Sequence, residues 1–346
     1  MKRIMFMVVL INAAICIFLY IYKMECLLHL FLYIMIALSL IATIAVFLNK
    51  HIKQTNWYMN SIPDFDNYPG NDWYRNHSER NYDVVNVGSS SGLYAFDYSG
   101  TGVKAFNWAM QPQSMEYSFR VLKNYFSILK KNGVVIIPFS PFSGLYSGTK
   151  WSETSYGRYY YILDYTLIDN YEKISRFRKW PLFYYPKESV KRLIKDVARN
   201  RSGKKYNVCH NDIEFEKDAE MWINGWMKEF NISDLNLPKS KENIDGAHYR
   251  MDTIKDMIKF CIERDLRPVI VIPPMHHTLT NKLTSIFREN YIYSFIRELD
   301  MFNVPFYDYM DDKAYDHDSY FYNSYFMSES GAKVFTKDIL HKLNLI

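Results

Sequence analysis

Two uncharged apolar runs open this chain, and they decide where everything after them must fold. Ile4 to Tyr22 reads IMFMVVLINAAICIFLYIY, with Asn12 its only strongly polar residue, and Leu27 to Leu48 is longer and equally uncharged. The hydrocarbon core of a bilayer takes about 20 apolar residues of helix, so the runs predict two transmembrane helices, at about 4–22 and 27–48. A cleaved signal peptide is the competing reading of the first run, but Lys23-Met24-Glu25-Cys26 leads straight into the second. Residues 1–53 therefore read as a membrane anchor, a helical hairpin that leaves the N-terminus and the rest of the chain on one side. Lys2, Arg3, Lys50 and Lys53 outnumber the charges of the link, which points that side inward.

The rest of the 346 residues suits one large domain, or a domain with a substantial insertion. The formal net charge is +5, carried mostly by the first fifty residues, so no nucleic-acid footprint is present. Cys16 and Cys26 lie in or beside the apolar runs, and Cys209 and Cys261 stand without metal-ligand spacing. Thirty Tyr and 23 Phe suit an aromatic-rich core, and equally surfaces on which sugar rings stack.

Residues 54–81, with Pro63, Pro69 and Gly70, read as an irregular connection. The domain at 82–346 then alternates strand and helix. Buried-type strands are expected at Tyr82–Val87, Lys104–Ala109, Val134–Phe139, Pro268–Ile272 and Val304–Tyr307. Helices are expected from Gly92, over Gln113–Lys131 with Asn132-Gly133 as its stop, and over Met251–Arg264, Leu279–Leu299 and Gly331–Leu343. This order predicts an α/β fold with a parallel sheet covered on both faces. Between about 144 and 245 no comparable strand signal occurs. That stretch, with a basic patch from Lys187 to Arg201, reads as a helical insertion.

Gly88-Ser89-Ser90-Ser91-Gly92 stands where a buried strand gives way to a helix, the context a nucleophile elbow needs, with a serine hydroxyl beside backbone N–H groups. An anion-binding turn or a plain small-residue loop fits the same residues. A serine nucleophile needs a base. His276 and His277 follow the PVIVIPP strand, and His317 follows the last strand. Asp308, Asp311 and Asp312 can orient a base or form a polar turn. No P-loop, dinucleotide fingerprint or H-E-x-x-H pattern occurs, so neither a cofactor nor a metal is expected, with His276-His277 near Asp308 as the one metal alternative weighed.

At this point the arrangement resembles the SGNH, or GDSL-like, hydrolases and their cell-envelope acyltransferase relatives. The resemblance rests on Asp83 to Ser90, on Phe106-Asn107-Trp108-Ala109 followed by Gln113-Ser114, and on Phe321 to Thr336 before the last helix. It implies a three-layer flavodoxin-like fold with Ser90 as nucleophile, and Gly88, Ser89, Ser91, Asn107 and Asn323 as substrate-binding positions. The departures are specific. Where the family carries Asp-x-x-His, this chain has Asn323 and Phe326, which offer neither a carboxylate nor a proton acceptor. Gln111-Pro112 and Ser140 to Ser143 stand near the family's oxyanion donors. A base from His317 or His276 is the only rescue in view.

Two functions follow as expectations. One is acyl transfer to, or deacylation of, a surface polysaccharide through Ser90. The other is a catalytically degenerate member that binds a polysaccharide, a lipid-linked glycan or a membrane partner in assembly or export. Loss of a general base commonly costs about a hundred- to ten-thousandfold in rate, which weakens the first.

Overall fold

The computed structural model describes residues 2–62, 81–145, 156–198 and 208–346. Most of the connecting segment expected at 54–81 lies outside that set, as do the side chains of residues 4–11 in the first apolar run. The described residues divide into two compact units, one of residues 2–62 with 170–198, the other of residues 81–145, 156–169 and 208–346.

The first unit begins with α1 (Lys2–Ile21) and α2 (Glu25–Ile52), separated by a turn in which Lys23 takes φ 50°. Glu25 lies in the first turn of α2 and Lys50 and His51 in its last, signs that match the helix dipole. At a rise of 1.5 Å per residue α2 is about 42 Å long. It is long and apolar enough to cross a membrane, and none of its apolar window is buried among the described residues. Thr55 caps a short α3 (Asn56–Ser61) by accepting from the Tyr58 backbone N–H.

In the second unit β1 (Tyr82–Asn86) leads into α4 (Ser90–Ala95), β2 (Ala105–Asn107), α5 (Met115–Tyr125) and β3 (Leu129–Pro138). The chain then contributes α6 (Tyr171–Lys179) and α7 (Pro186–Ala198) to the first unit before returning with α8 (Asp212–Glu229) and α9 (Lys241–Ile262). Next come β4 (Arg267–Ile272), β5 (Phe306–Asp308) and α10 (Glu329–Lys342). The protein is thus α/β, with all five strands parallel in the order β2-β1-β3-β4-β5. That is the doubly wound order in which the chain reverses direction between β1 and β3, the crevice where such sheets place ligands. Val84, Val134, Ile136, Val269 and Val271 pack with Phe335, Ile339 and Leu340 of α10. Alternation sends Val85, Val135, Ile137 and Ile270 to the other face, where α5 and α9 lie against the sheet or each other. Burial on both faces explains why β1, β3 and β4 read as continuous β-branched runs.

Three expectations need correction. The helix expected to run to Lys131 stops at Tyr125, because Leu129 already pairs with Tyr82. Both side chains are buried there, and Asn132 at φ 60° makes an irregularity within β3 rather than a helix stop. Burial of that pair overrides the local Asn-Gly signal. The helix expected at Leu279–Leu299 is broken into short helical turns around a π-helical stretch, Arg288–Tyr293. Arg288 stabilises the break by donating to the carbonyls of Leu283 and Thr280. Finally, the helix expected from Met251 starts ten residues earlier at Lys241, where Ser240 accepts from the Asn243 N–H.

Candidate functional site

The site is built where β1 turns into α4. Gly88 takes φ 118°, a conformation that side chains rarely tolerate, and this swings the chain off the strand. At Gly92 an added Cβ would stand 2.8 Å from the Val87 carbonyl, so glycine is what lets α4 start so close to β1. Asn107, at the end of β2, donates to the carbonyls of Gly92, Leu93 and Phe96, satisfying the orphan end of α4. Its Oδ1 accepts from Asn86 Nδ2 at 2.7 Å. Gln113 holds the other side: its Nε2 donates to Gly88 O at 3.0 Å and Trp108 O at 3.2 Å, and its backbone N–H donates to Ser89 Oγ. Thus Ser89 and Asn107 are both spent on shaping the turn. Ser90 is half-buried, and its hydroxyl makes no hydrogen bond among the described residues.

Asn323 and Phe326 both play structural roles. Asn323 is buried, and its Oδ1 accepts from the N–H groups of Tyr325 (3.0 Å) and Phe326 (2.8 Å), a side-chain-closed turn. Phe326, 1% exposed, stacks on Tyr94 with ring centroids 4.6 Å apart and meets the edge of Trp222. Tyr325 is buried beyond the ends of β1, β3 and β4, where it lines one small space with Ser91 and Ser140. Burial raises its pKa against the opposing pull of those two serines, so it stays a neutral phenol. The space left beside it, among Ser91, Phe139, Ser140 and Pro273, is about 10 Å³, the lower limit for one water. From α8, Asp218 fixes the same loop by accepting from Ser324 through its hydroxyl (2.5 Å) and its backbone N–H (3.0 Å). Sequence reasoning named Gln113 only as part of a motif and missed Asp218 and Tyr325, whose roles depend on partners distant in the chain.

The histidines are engaged elsewhere. His276 is buried, stacked on Phe215 at 3.9 Å. Its Nδ1 caps the next turn by accepting from the Thr278 N–H, and lies 2.9 Å from Thr278 Oγ1. Its Nε2 lies 3.2 Å from Asp318 Oδ1. Burial lowers the His276 pKa, partly offset by Asp318. With both ring nitrogens occupied, His276 has no free nitrogen for Ser90. His277 Nδ1 pairs with Asp316 at 2.9 Å. His317 is exposed, its ring edge against Tyr320. Among the described residues none of the three is hydrogen-bonded to Ser90. Nor does the weighed metal alternative assemble: Asp308 accepts from the Tyr293 hydroxyl, and no group of three potential ligands forms among the described residues.

An open groove of about 610 Å³ runs between α4, the β2 edge and the start of α10. Tyr94, Tyr98, Phe106 and Tyr322 give it aromatic walls, and Asp97 and Glu329, both paired with Lys333, also line it. Tyr98 is fixed by donating to Asn86 Oδ1 at 3.1 Å. The volume is that of a small-molecule site. Compared with known proteins, the sequence matches no family model and no curated protein.

Proposed function

We propose that this chain is a membrane-anchored, SGNH-like protein of bacterial cell-envelope polysaccharide metabolism, and that it binds a glycan rather than turning one over. The observation that carries this reading is the Phe326 ring, buried and stacked on Tyr94 where the resemblance would put a proton-accepting histidine, with Tyr325 beside it lining a space of about 10 Å³ next to Ser91. A serine without a base is a poor nucleophile at neutral pH. The aromatic groove, lined also by Asp97 and Glu329, suits a sugar, whose apolar ring face stacks on Tyr or Phe while its hydroxyls donate to carboxylates.

In this reading α1 and α2 form a transmembrane hairpin with N-terminus and domain on the inner side, as the basic residues after α2 favour. A domain there meets a lipid-linked glycan before export, not a finished surface polymer. The alternative, acyl transfer or deacylation through Ser90, is favoured only by the unpartnered Ser90 hydroxyl. Treating the detergent-solubilised full chain with a fluorophosphonate probe separates the two. No adduct is expected on wild type beyond that on Ser90→Ala; specific labelling of Ser90 would overturn the binding reading.

A further inference from the structure

The basic patch near residue 190, unexplained by the groove or the crevice, belongs to the unit that contains the apolar helix. Residues 170–198 hold eight Lys or Arg against three Asp or Glu, so this stretch alone carries a net charge equal to that of the whole chain. The near-balance of the sequence beyond the anchor conceals it. The stretch is joined to the last turns of α2 by specific bonds. Asn49, buried, donates to the Lys179 carbonyl at 3.2 Å and accepts from the Leu182 N–H at 3.3 Å. Tyr58 donates to the Arg178 carbonyl, Phe177 packs on Trp57 and Tyr58, and Asp196 of α7 accepts from the Asn56 N–H. The Pro181–Tyr184 turn and α7 both pack against α2.

Opposite these contacts the surface has the composition of a bilayer interface. At 100° per residue Val190, Ile194, Lys187, Lys191 and Lys195 fall on one continuous arc of about 140° of α7. Ser189 and Asp196 lie on the far side and make the internal bonds. Val190 is 42% exposed and Ile194 63%, and the turn before α7 adds Trp180 at 43% and Phe183 at 66%. Glu188 is held by Arg192, with Lys191 at 4.0 Å. Lys187 and Lys195 form no ion pair within 4 Å among the described residues, though Arg192 lowers the Glu188 pKa with help from Lys191 and Lys195. Lys53 lies close enough to Arg178 that burial, and then this like charge, lower its pKa. A soluble surface rarely presents bulky apolar side chains flanked by exposed lysines, whereas an interfacial helix does.

The geometry points to α6, the Trp180–Tyr185 turn and α7 as a collar that seats on anionic lipid headgroups where α2 leaves the bilayer, with Lys187, Lys191 and Lys195 on lipid phosphates and Trp180, Phe183, Val190 and Ile194 in the interface. Continuity with α2 selects this occupant: the collar is bonded to Asn49, one turn from the end of a helix whose apolar window is unburied among the described residues. The lysines favour an anionic over a zwitterionic leaflet, because each basic residue near such a surface strengthens attachment by roughly fivefold. The inference needs α2 to span the bilayer and is independent of the glycan reading.

The test uses the full chain reconstituted in nanodiscs of phosphatidylcholine alone, or of phosphatidylcholine mixed with phosphatidylglycerol, and measures amide hydrogen exchange. Exchange in residues 186–198 is expected to slow about tenfold or more in the anionic discs, and to return to the zwitterionic rate in Lys187→Glu/Lys191→Glu/Lys195→Glu. Exchange in α10 serves as the folding control and is expected to be unchanged by the variant. Equal exchange in the two lipids, or slowing that the charge reversal leaves intact, would overturn the proposal. Should the triple variant not fold, wild type in high salt supplies the same contrast, since screening weakens headgroup attraction.

Discussion

The ring of Phe326 lies on the ring of Tyr94, centroids 4.6 Å apart and planes inclined by 29°. Tyr94 belongs to α4, the helix that starts at Ser90, and Phe326 to the loop before α10. A packed aromatic pair therefore joins the helix after β1 to the loop before the last helix.

This pairing predicts that Phe326 is a core residue. Phe326→Ala should destabilise the domain by about 3–5 kcal/mol, the usual cost of truncating a fully buried phenylalanine. Urea unfolding of the full chain in detergent, followed by the fluorescence of nearby Trp222, would measure it. A loss below about 1 kcal/mol would mean the ring is not packed as described.

Asp218 and Ser324 make a second prediction. Ser324→Ala removes the hydroxyl that donates to a buried carboxylate, and hydrogen bonds to charged groups are worth about 1.5–3 kcal/mol. The change should lower stability by that amount and speed hydrogen exchange in residues 321–328. Unaltered exchange there would show that α8 does not hold the loop.

Much of the scaffold was legible beforehand, for physical reasons. β1, β3 and β4 carry β-branched runs buried on both faces, and Gly88 and Gly92 sit where the backbone needs them, so periodicity and small residues locate the centre of the sheet and the turn. What remained hidden depends on partners distant in sequence. Leu129 joins β3 because Tyr82 pairs with it; the Asn-Gly pair gave no sign of that. Tyr325 looked like one tyrosine among thirty until the fold set it beside Ser91 and Ser140. His276, placed after a strand end, suited a base by position alone; its engagement by Thr278 and Asp318, two and 42 residues away, is a tertiary fact. The basic patch was visible as composition, but its attachment to Asn49 was not.

That engagement of His276 has a pH consequence. Burial holds its folded pKa below the ordinary value of 6.5. Protonation is therefore harder in the folded than in the unfolded chain, and the stabilisation is fully present above pH about 6.5 and lost as pH falls below it. The melting temperature should drop from pH 7.5 to 5.5, and His276→Asn should flatten the drop. The groups facing the ring are Thr278, Phe215, Phe321, His277, Asp318 and Asp316. An identical pH slope in the variant would assign the effect to another group.

The last prediction concerns the groove, where binding and scaffold can be separated. Asn86 is buried and bonded to Asn107, so changes there would disturb the β1–α4 turn along with the groove. Tyr98 is a better probe: it lines the groove, and Tyr98→Phe keeps the ring while deleting one hydrogen bond to Asn86. If glycans stack on this wall, Tyr98→Ala should weaken retention in polysaccharide affinity gels by about tenfold, the worth of roughly one aromatic contact, while Tyr98→Phe retains most of it. Equal weakening by both variants would mean that the Asn86 bond, and hence the turn, is what was lost. No weakening by either would remove this wall from the binding surface and leave the groove without its glycan assignment.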